Sequence, residues 1–90
     1  EEVALIRDAG AVAMRALERT LPRIRPGMTE LHVAGLLEGA LREAGSEGFP
    51  FETIVASGER SALPHARAAG RELRSGDLLL LDFGAIVGGY

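Results

Sequence analysis

The run Leu78 to Val87, LLLLDFGAIV, narrows the possible folds of this chain more than any other stretch. It is preceded by the turn signal Ser75-Gly76-Asp77 and followed by Gly88-Gly89, so it reads as a strand with a hairpin turn behind it. Side chains alternate along a strand. Leu79, Leu81, Phe83, Ala85 and Val87 therefore share one face, suited to lie under helices. Leu78, Leu80, Asp82, Gly84 and Ile86 share the other, and Gly84 is expected to leave room beside Asp82. A carboxylate inside an apolar run must be neutralised, paired or bound to a metal. Spacing alone leaves two readings open for Asp82: a carboxylate held by loop amides, or a ligand facing something that approaches.

The first half of the chain has a different period. Val3, Ile6, Gly10, Ala13, Leu17, Leu21 and Ile24 recur at helical spacing and predict a helix over about 1–24, with Pro22 near its end. Arg25-Pro26-Gly27 is a break. Thr29 is a good N-cap for a second helix over about 29–44, with Glu30 in the first turn and Gly45 as its stop. Val33, Leu37, Ala40, Leu41 and Ala44 form its apolar stripe, and Glu38 and Arg42 are expected to pair on its outer side. A β-branched strand follows at about 53–57, then a loop, then the strand at about 78–87. Helix, helix, strand, strand predicts an α+β fold, with two helices packed on one face of an antiparallel sheet.

Ninety residues make one small domain with a thin core. The net charge of −3 argues against a nucleic-acid backbone as partner. All ten basic residues are Arg, which reads as a compositional habit and not as a site. With no Cys, thiolate catalysis, disulfides and Cys-ligated zinc are excluded. No apolar stretch is long enough to span a membrane, and Glu1-Glu2-Val3 does not open a signal peptide. A cytoplasmic location is expected. The missing initiator Met suggests a start inside a longer parent.

Few side chains stand out as chemical candidates. His65 follows Pro64, which restricts the local backbone. A lone loop His is more often packed or solvated than catalytic. His32 sits off the apolar face of the second helix and reads as a surface residue. Ser57 and Ser61 lack a nearby base and a nucleophile-elbow pattern, so turn chemistry is expected of them. Gly58 belongs to no phosphate-binding pattern. Arg67, Arg71 and Arg74, interleaved with Glu72 and Asp77, read as a solvated loop.

The stretch TIVASGERSALPHARAAGRELRSGDLLLLDFGAIVGGY nevertheless resembles the pita-bread metallopeptidases, and SALPH with GDLLLLDFGA resembles their Xaa-Pro aminopeptidase and prolidase branch. The first 45 residues resemble the two helices that open that catalytic domain. The resemblance covers residues 1–90 and implies the N-terminal half of a pita-bread catalytic domain. It implies that His65 is the substrate-binding histidine, stabilising the transition state, and that Asp82 is the first metal-binding carboxylate. Ala66 departs mildly from the Gly that often follows this histidine.

The resemblance further implies two divalent metal ions, Mn first with Co or Zn as alternatives. The second Asp, a His and two Glu that complete the family's ligand set lie outside the chain. Two metals ~3.5–4 Å apart would share and activate a hydroxide. The implied substrate is a peptide with proline in second position or an Xaa-Pro dipeptide. The parent is expected to be a homo-oligomer, and the 90-residue chain alone to be inactive and self-associating. Two rivals stand beside this reading: a non-catalytic pita-bread module that binds peptides or proteins, and a self-contained α+β interaction module.

Overall fold

In the computed structural model, residues 2–62 and 67–89 are described, with side chains from Arg7 onward in the first helix. The elements are α1 (Glu2–Thr20), a 3-10 turn (Leu21–Arg23), α2 (Glu30–Glu43), β1 (Ile54–Ser57), a second 3-10 turn (Gly58–Ala62) and β2 (Leu79–Asp82).

The α-helical part of the first element stops at Thr20, four residues short of the expected end. Pro22 has no N–H to donate back along the helix, and the chain tightens into the 3-10 turn before becoming extended at Ile24. Thr20 helps close the last turn by donating its hydroxyl to the Ala16 carbonyl at 2.8 Å. The buried stripe also differs from the expected one. Val12, Ala16 and Thr20 are buried, Ala9 and Ala13 pack beside them, and Gly10 and Leu21 face out. Small side chains let α1 lie close against α2, and that contact overrides the simple hydrophobicity ranking.

Every N-terminal N–H of α2 that lacks a helical partner finds another acceptor, as a buried helix start requires. Glu30 N–H donates to the Arg71 carbonyl and Leu31 N–H to the Ala69 carbonyl. His32 N–H donates to Oγ1 of Thr29, and Val33 N–H to the Thr29 carbonyl. At the other end, Ser46 N–H reaches back to Leu41 O and Gly45 N–H to Arg42 O. This is a Schellman closure, and Gly45 supplies its left-handed residue with φ +114°. On the outer side of α2, the Arg42 guanidinium lies 5.0 Å from the Phe49 ring centroid. No ion pair joins it to Glu38 among the described residues, so a cation–π contact replaces the expected i,i+4 pair.

β1 and β2 form a two-stranded antiparallel sheet, with Ile54 opposite Asp82 and Ser57 opposite Leu79. Both strands are shorter than expected. Phe83 to Val87 keep their alternation, but their backbone leaves β1. Glu47 N–H donates to Ile86 O, Ile86 N–H to Ser46 Oγ, and Gly88 N–H to the Glu47 carboxylate. Both helices lie on the same side of the sheet. One core cluster joins α1 to α2 through Val12, Ala16, Leu37, Ala40 and Leu41, closed by Phe83, Ala85 and Val87. The other sets Val33 and Ala34 of α2 on Val55, Leu79 and Leu81 of the sheet, with Leu73 at its edge. Leu37 and Leu41 are fully buried, and truncating either to Ala would cost about 2–5 kcal/mol.

Candidate functional site

Asp82 is the last residue of β2 and pairs with Ile54. Its neighbours of like parity, Leu78 and Leu80, are 76% and 42% exposed, whereas Leu79 and Leu81 pack under α2. The carboxylate is exposed on the sheet face away from the helices. The room expected beside it at Gly84 is taken. A Cβ on Gly84 would lie 2.9 Å from Pro50 Cγ and 3.6 Å from Phe51 Cε1. Gly84 is there so that Pro50 can close over the end of the strand, not to open a cavity.

Among the described residues, no side chain donates a hydrogen bond to Asp82, and no three His, Asp or Glu residues cluster at metal-binding distance. A carboxylate oxygen is the right kind of donor for a hard divalent cation. Asp82 thus offers an exposed oxygen donor whose chemistry suits a divalent metal. His65 lies outside the described residues.

A second constellation lies on the helix side of the sheet. Glu30, the first residue of α2, has no exposed surface. Its Oε2 accepts from Ser57 N–H at 2.8 Å and from Ser57 Oγ–H at 2.7 Å. Its Oε1 accepts from Arg60 Nε at 3.0 Å and from Ala69 N–H at 3.1 Å. Arg60 also donates through Nη2 to the Arg67 carbonyl.

The network continues outward from Ser57. The Ser57 hydroxyl accepts from Arg71 Nη1 at 2.7 Å, and the same nitrogen donates to Asp77 Oδ2 at 2.8 Å. Asp77 Oδ2 in turn accepts Arg74 N–H at 2.9 Å. No buried side-chain polar atom among the described residues is left without a partner.

Burial by itself would raise the Glu30 pKa and is the largest single influence on it. The Ser57 hydroxyl, the Ser57 and Ala69 amides and the Arg60 charge together outweigh it, and the carboxyl titrates below its ordinary range. Asp77 is also lowered, chiefly by its hydrogen bond from Arg71 and then by the Arg74 amide.

These contacts correct two expectations. Ser57 is a buried relay between Glu30 and Arg71, whereas Ser61 does make a turn contact, donating to the Gly58 carbonyl at 2.7 Å. Arg71 is not solvated but held by Asp77 and Ser57, while Arg67 pairs with Glu52 at the surface at 3.3 Å. Glu30 was missed as a network residue, although a signal was present. It lies three and seven residues before Val33 and Leu37, so a carboxylate occupies the apolar stripe of α2.

The sequence profile of metallopeptidase family M24 matches residues 4–90. The chain belongs to that family. It is 42% identical over its whole length to the Bacillus subtilis peptidase YqhT and 38% identical to the Xaa-Pro dipeptidase of Pyrococcus furiosus, in each case covering 26% of the relative. Its structure superposes on the X-Pro aminopeptidase of Thermotoga maritima with a TM-score of 0.91 at 47% identity, over 94% of this chain and 24% of that one.

The chain therefore spans about a quarter of the length of the relatives it matches. Its two helices on an antiparallel sheet are part of the pita-bread fold, as expected. Membership of this metallopeptidase family implies divalent metal as the cofactor class. No helix among the described residues is long and apolar enough to cross a membrane.

Proposed function

We propose that this chain is the N-terminal half of the catalytic domain of a cytoplasmic Xaa-Pro peptidase, of aminopeptidase or dipeptidase type, that hydrolyses the bond before proline. The observation that carries this reading is the placement of Asp82. It is an exposed oxygen donor on the sheet face away from the helices, in a chain whose whole length matches Xaa-Pro peptidases. Asp82 would hold divalent metal, two ions in the complete site, with Mn expected first and Co or Zn as substitutes. When bound, the ions supply a Lewis acid and a water of lowered pKa. The β1–β2 ladder fixes the backbone of Asp82 opposite Ile54, so the carboxylate is presented without a search of loop conformations.

His65 would bind the substrate and donate a hydrogen bond to the carbonyl oxygen as it gains charge. The remaining ligands would come from the rest of a longer parent protein, a homo-oligomer in this reading, and the 90-residue chain alone would be inactive. The test uses the full-length protein on Ala-Pro and Ala-Pro-Ala. Hydrolysis of the bond before proline in either peptide, abolished by chelation and restored by Mn²⁺, is the expected result. No cleavage of either peptide with Mn²⁺, Co²⁺ or Zn²⁺ present would overturn the reading.

A further inference from the structure

β1 and β2 are joined by residues 58–78, a connection far longer than the loops of about 2–5 residues that set register in a hairpin. Their ladder has four pairs. The alternation of Leu79 and Leu81 with Leu78, Leu80 and Asp82 opposes a slip of one residue, because that would turn Leu79 and Leu81 out from under α2. It does not oppose a slip of two. Such a slip keeps every side chain on its own face. It nevertheless puts Leu80 or Gly84 opposite Ile54 and carries Asp82 about 7 Å along the strand. The choice among registers of like parity therefore needs a further contact. Beyond Asp82, Ile86 is bonded to Ser46 and Glu47. At the other end of the ladder, the contact is made by Arg71.

Arg71 Nη1 donates to Ser57 Oγ at 2.7 Å, on the last residue of β1, and to Asp77 Oδ2 at 2.8 Å, just before β2 begins. Ser57 cannot follow a shift of β2, since its N–H and its hydroxyl both donate to the buried Glu30 carboxylate. The hydroxyl proton is thereby committed to Glu30, and the oxygen is left to accept from Arg71. Asp77 is set in turn by Arg74 N–H. Gly58 makes the space, because a Cβ there would stand 2.6 Å from Arg71 Nη2. A shift of about 7 Å would part Ser57 from Asp77 beyond the reach of one nitrogen.

We propose that Arg71 is a positioning residue for Asp82: by holding Ser57 and Asp77 on one guanidinium nitrogen it pins the β1–β2 register that sets Asp82 opposite Ile54. The inference rests on the reading of Asp82 as a metal ligand. Its consequence is in metal affinity, because the apparent dissociation constant rises as the fraction of molecules in the binding register falls.

The test uses the full-length protein, Mn²⁺ titration calorimetry and the variants Arg71→Met and Arg71→Lys. Arg71 is partly exposed, and without it Ser57 keeps Glu30 and Asp77 keeps the Arg74 amide, so the variants are expected to fold. Arg71→Met should weaken Mn²⁺ binding by roughly 3- to 10-fold. Arg71→Lys should restore most of it, since both contacts come from one nitrogen and an ammonium can make both. In an Asp82→Asn background, Arg71→Met should cause no further loss. Wild-type affinity in Arg71→Met, or the same added loss with Asp82 already Asn, would overturn the proposal.

Amide exchange on the metal-free protein gives a readout independent of metal and activity. In Arg71→Met the amides of Ile54–Ser57 and Leu79–Asp82 should lose protection while Val33–Glu43 of α2 keep theirs; unchanged protection in both strands would also overturn the pin. A wild-type protein that binds no divalent metal would instead defeat the functional reading, and exchange alone would then decide the pin.

Discussion

Asp82 stands directly across the antiparallel ladder from Ile54, at the last paired position of the sheet. Its carboxylate is exposed and takes no side-chain hydrogen bond among the described residues. Replacing it with Asn should therefore leave the fold alone, within about 0.5 kcal/mol, while removing a charged oxygen donor from the proposed site. In the full-length protein Asp82→Asn is expected to lose bound metal and most hydrolysis of Xaa-Pro peptides, with the same melting temperature as the wild type when both are metal-free. Metal analysis beside calorimetry checks this; full metal content in an active variant would remove Asp82 from the ligand set.

His65→Ala should behave differently. A histidine that donates to a developing oxyanion acts mainly in the transition state. The variant is expected to keep its metal, bind substrate with little change in KM and fall in kcat by about 100-fold. Metal loss as large as that of Asp82→Asn would assign His65 a different role.

Glu30 and Asp77 make stability depend on acid. Both carboxyls titrate below their ordinary range in the folded state, so below the unfolded values the unfolded chain binds more protons and stability falls. Their contribution is fully present above about pH 4, the ordinary carboxylate range, and is lost as pH drops from there through the depressed folded values. The groups facing Glu30 are Ser57, Arg60 and the Ala69 amide; those facing Asp77 are Arg71 and the Arg74 amide. Glu30→Gln should cost about 2–3 kcal/mol at neutral pH, because the partly exposed Arg60 can be rehydrated but the buried amides cannot. It should also flatten the acid limb of the stability curve. Acid titration of the full-length protein by circular dichroism, wild type against variant, checks both; parallel acid limbs would show that Glu30 is not linked to folding.

Gly58 offers a test of the network's outer part. Its φ is +55°, and a Cβ there would stand 2.6 Å from Arg71 Nη2. Arg71 is tied to Asp77 and Ser57, so it cannot swing away without breaking those bonds. Gly58→Ala is expected to destabilise by about 2 kcal/mol, from left-handed strain plus the displaced guanidinium. The measurement is chemical denaturation with and without Asp77→Ala. If Asp77→Ala relieves part of the cost, the guanidinium is the obstacle; if it does not, the backbone strain accounts for all of it.

What the sequence made legible is what local chemistry decides. Thr29 before Glu30, and Gly45 after Ala44, announce the ends of α2 because caps act within a few residues. Leu79, Leu81, Phe83, Ala85 and Val87 announce one apolar face because alternation is intrinsic to extended chain. Asp82 stood out against that alternation, and its proposed role came from the family resemblance. What stayed hidden depends on distant partners. Glu30 meets Ser57, Arg60 and Ala69 across 27, 30 and 39 positions. The strand ends at Asp82 because β1 ends opposite it at Ile54 and Pro50 covers Gly84. The buried stripe of α1 follows Ala16 and Val12 because α2 comes close there, a fact about α2 and not about α1.

The last prediction concerns the 90-residue chain by itself. β2 has one ladder partner, β1, and its other edge carries unpaired backbone groups among the described residues. The adjoining face exposes Leu78 and Leu80, which line an open cleft with Leu79 and Ser61. An exposed apolar strand of this kind invites pairing with another chain. A net charge of −3 gives little repulsion against it. The relatives are about four times as long, so further chain is available in them to cover such a surface. The isolated chain should therefore self-associate, with an apparent mass that rises with concentration in sedimentation velocity. A Leu78→Lys, Leu80→Lys variant places charge on the exposed face without touching the helix side, and should shift the chain toward monomer. A monomer at high concentration whose Leu79–Asp82 amides are strongly protected would show that the two-stranded sheet needs no partner.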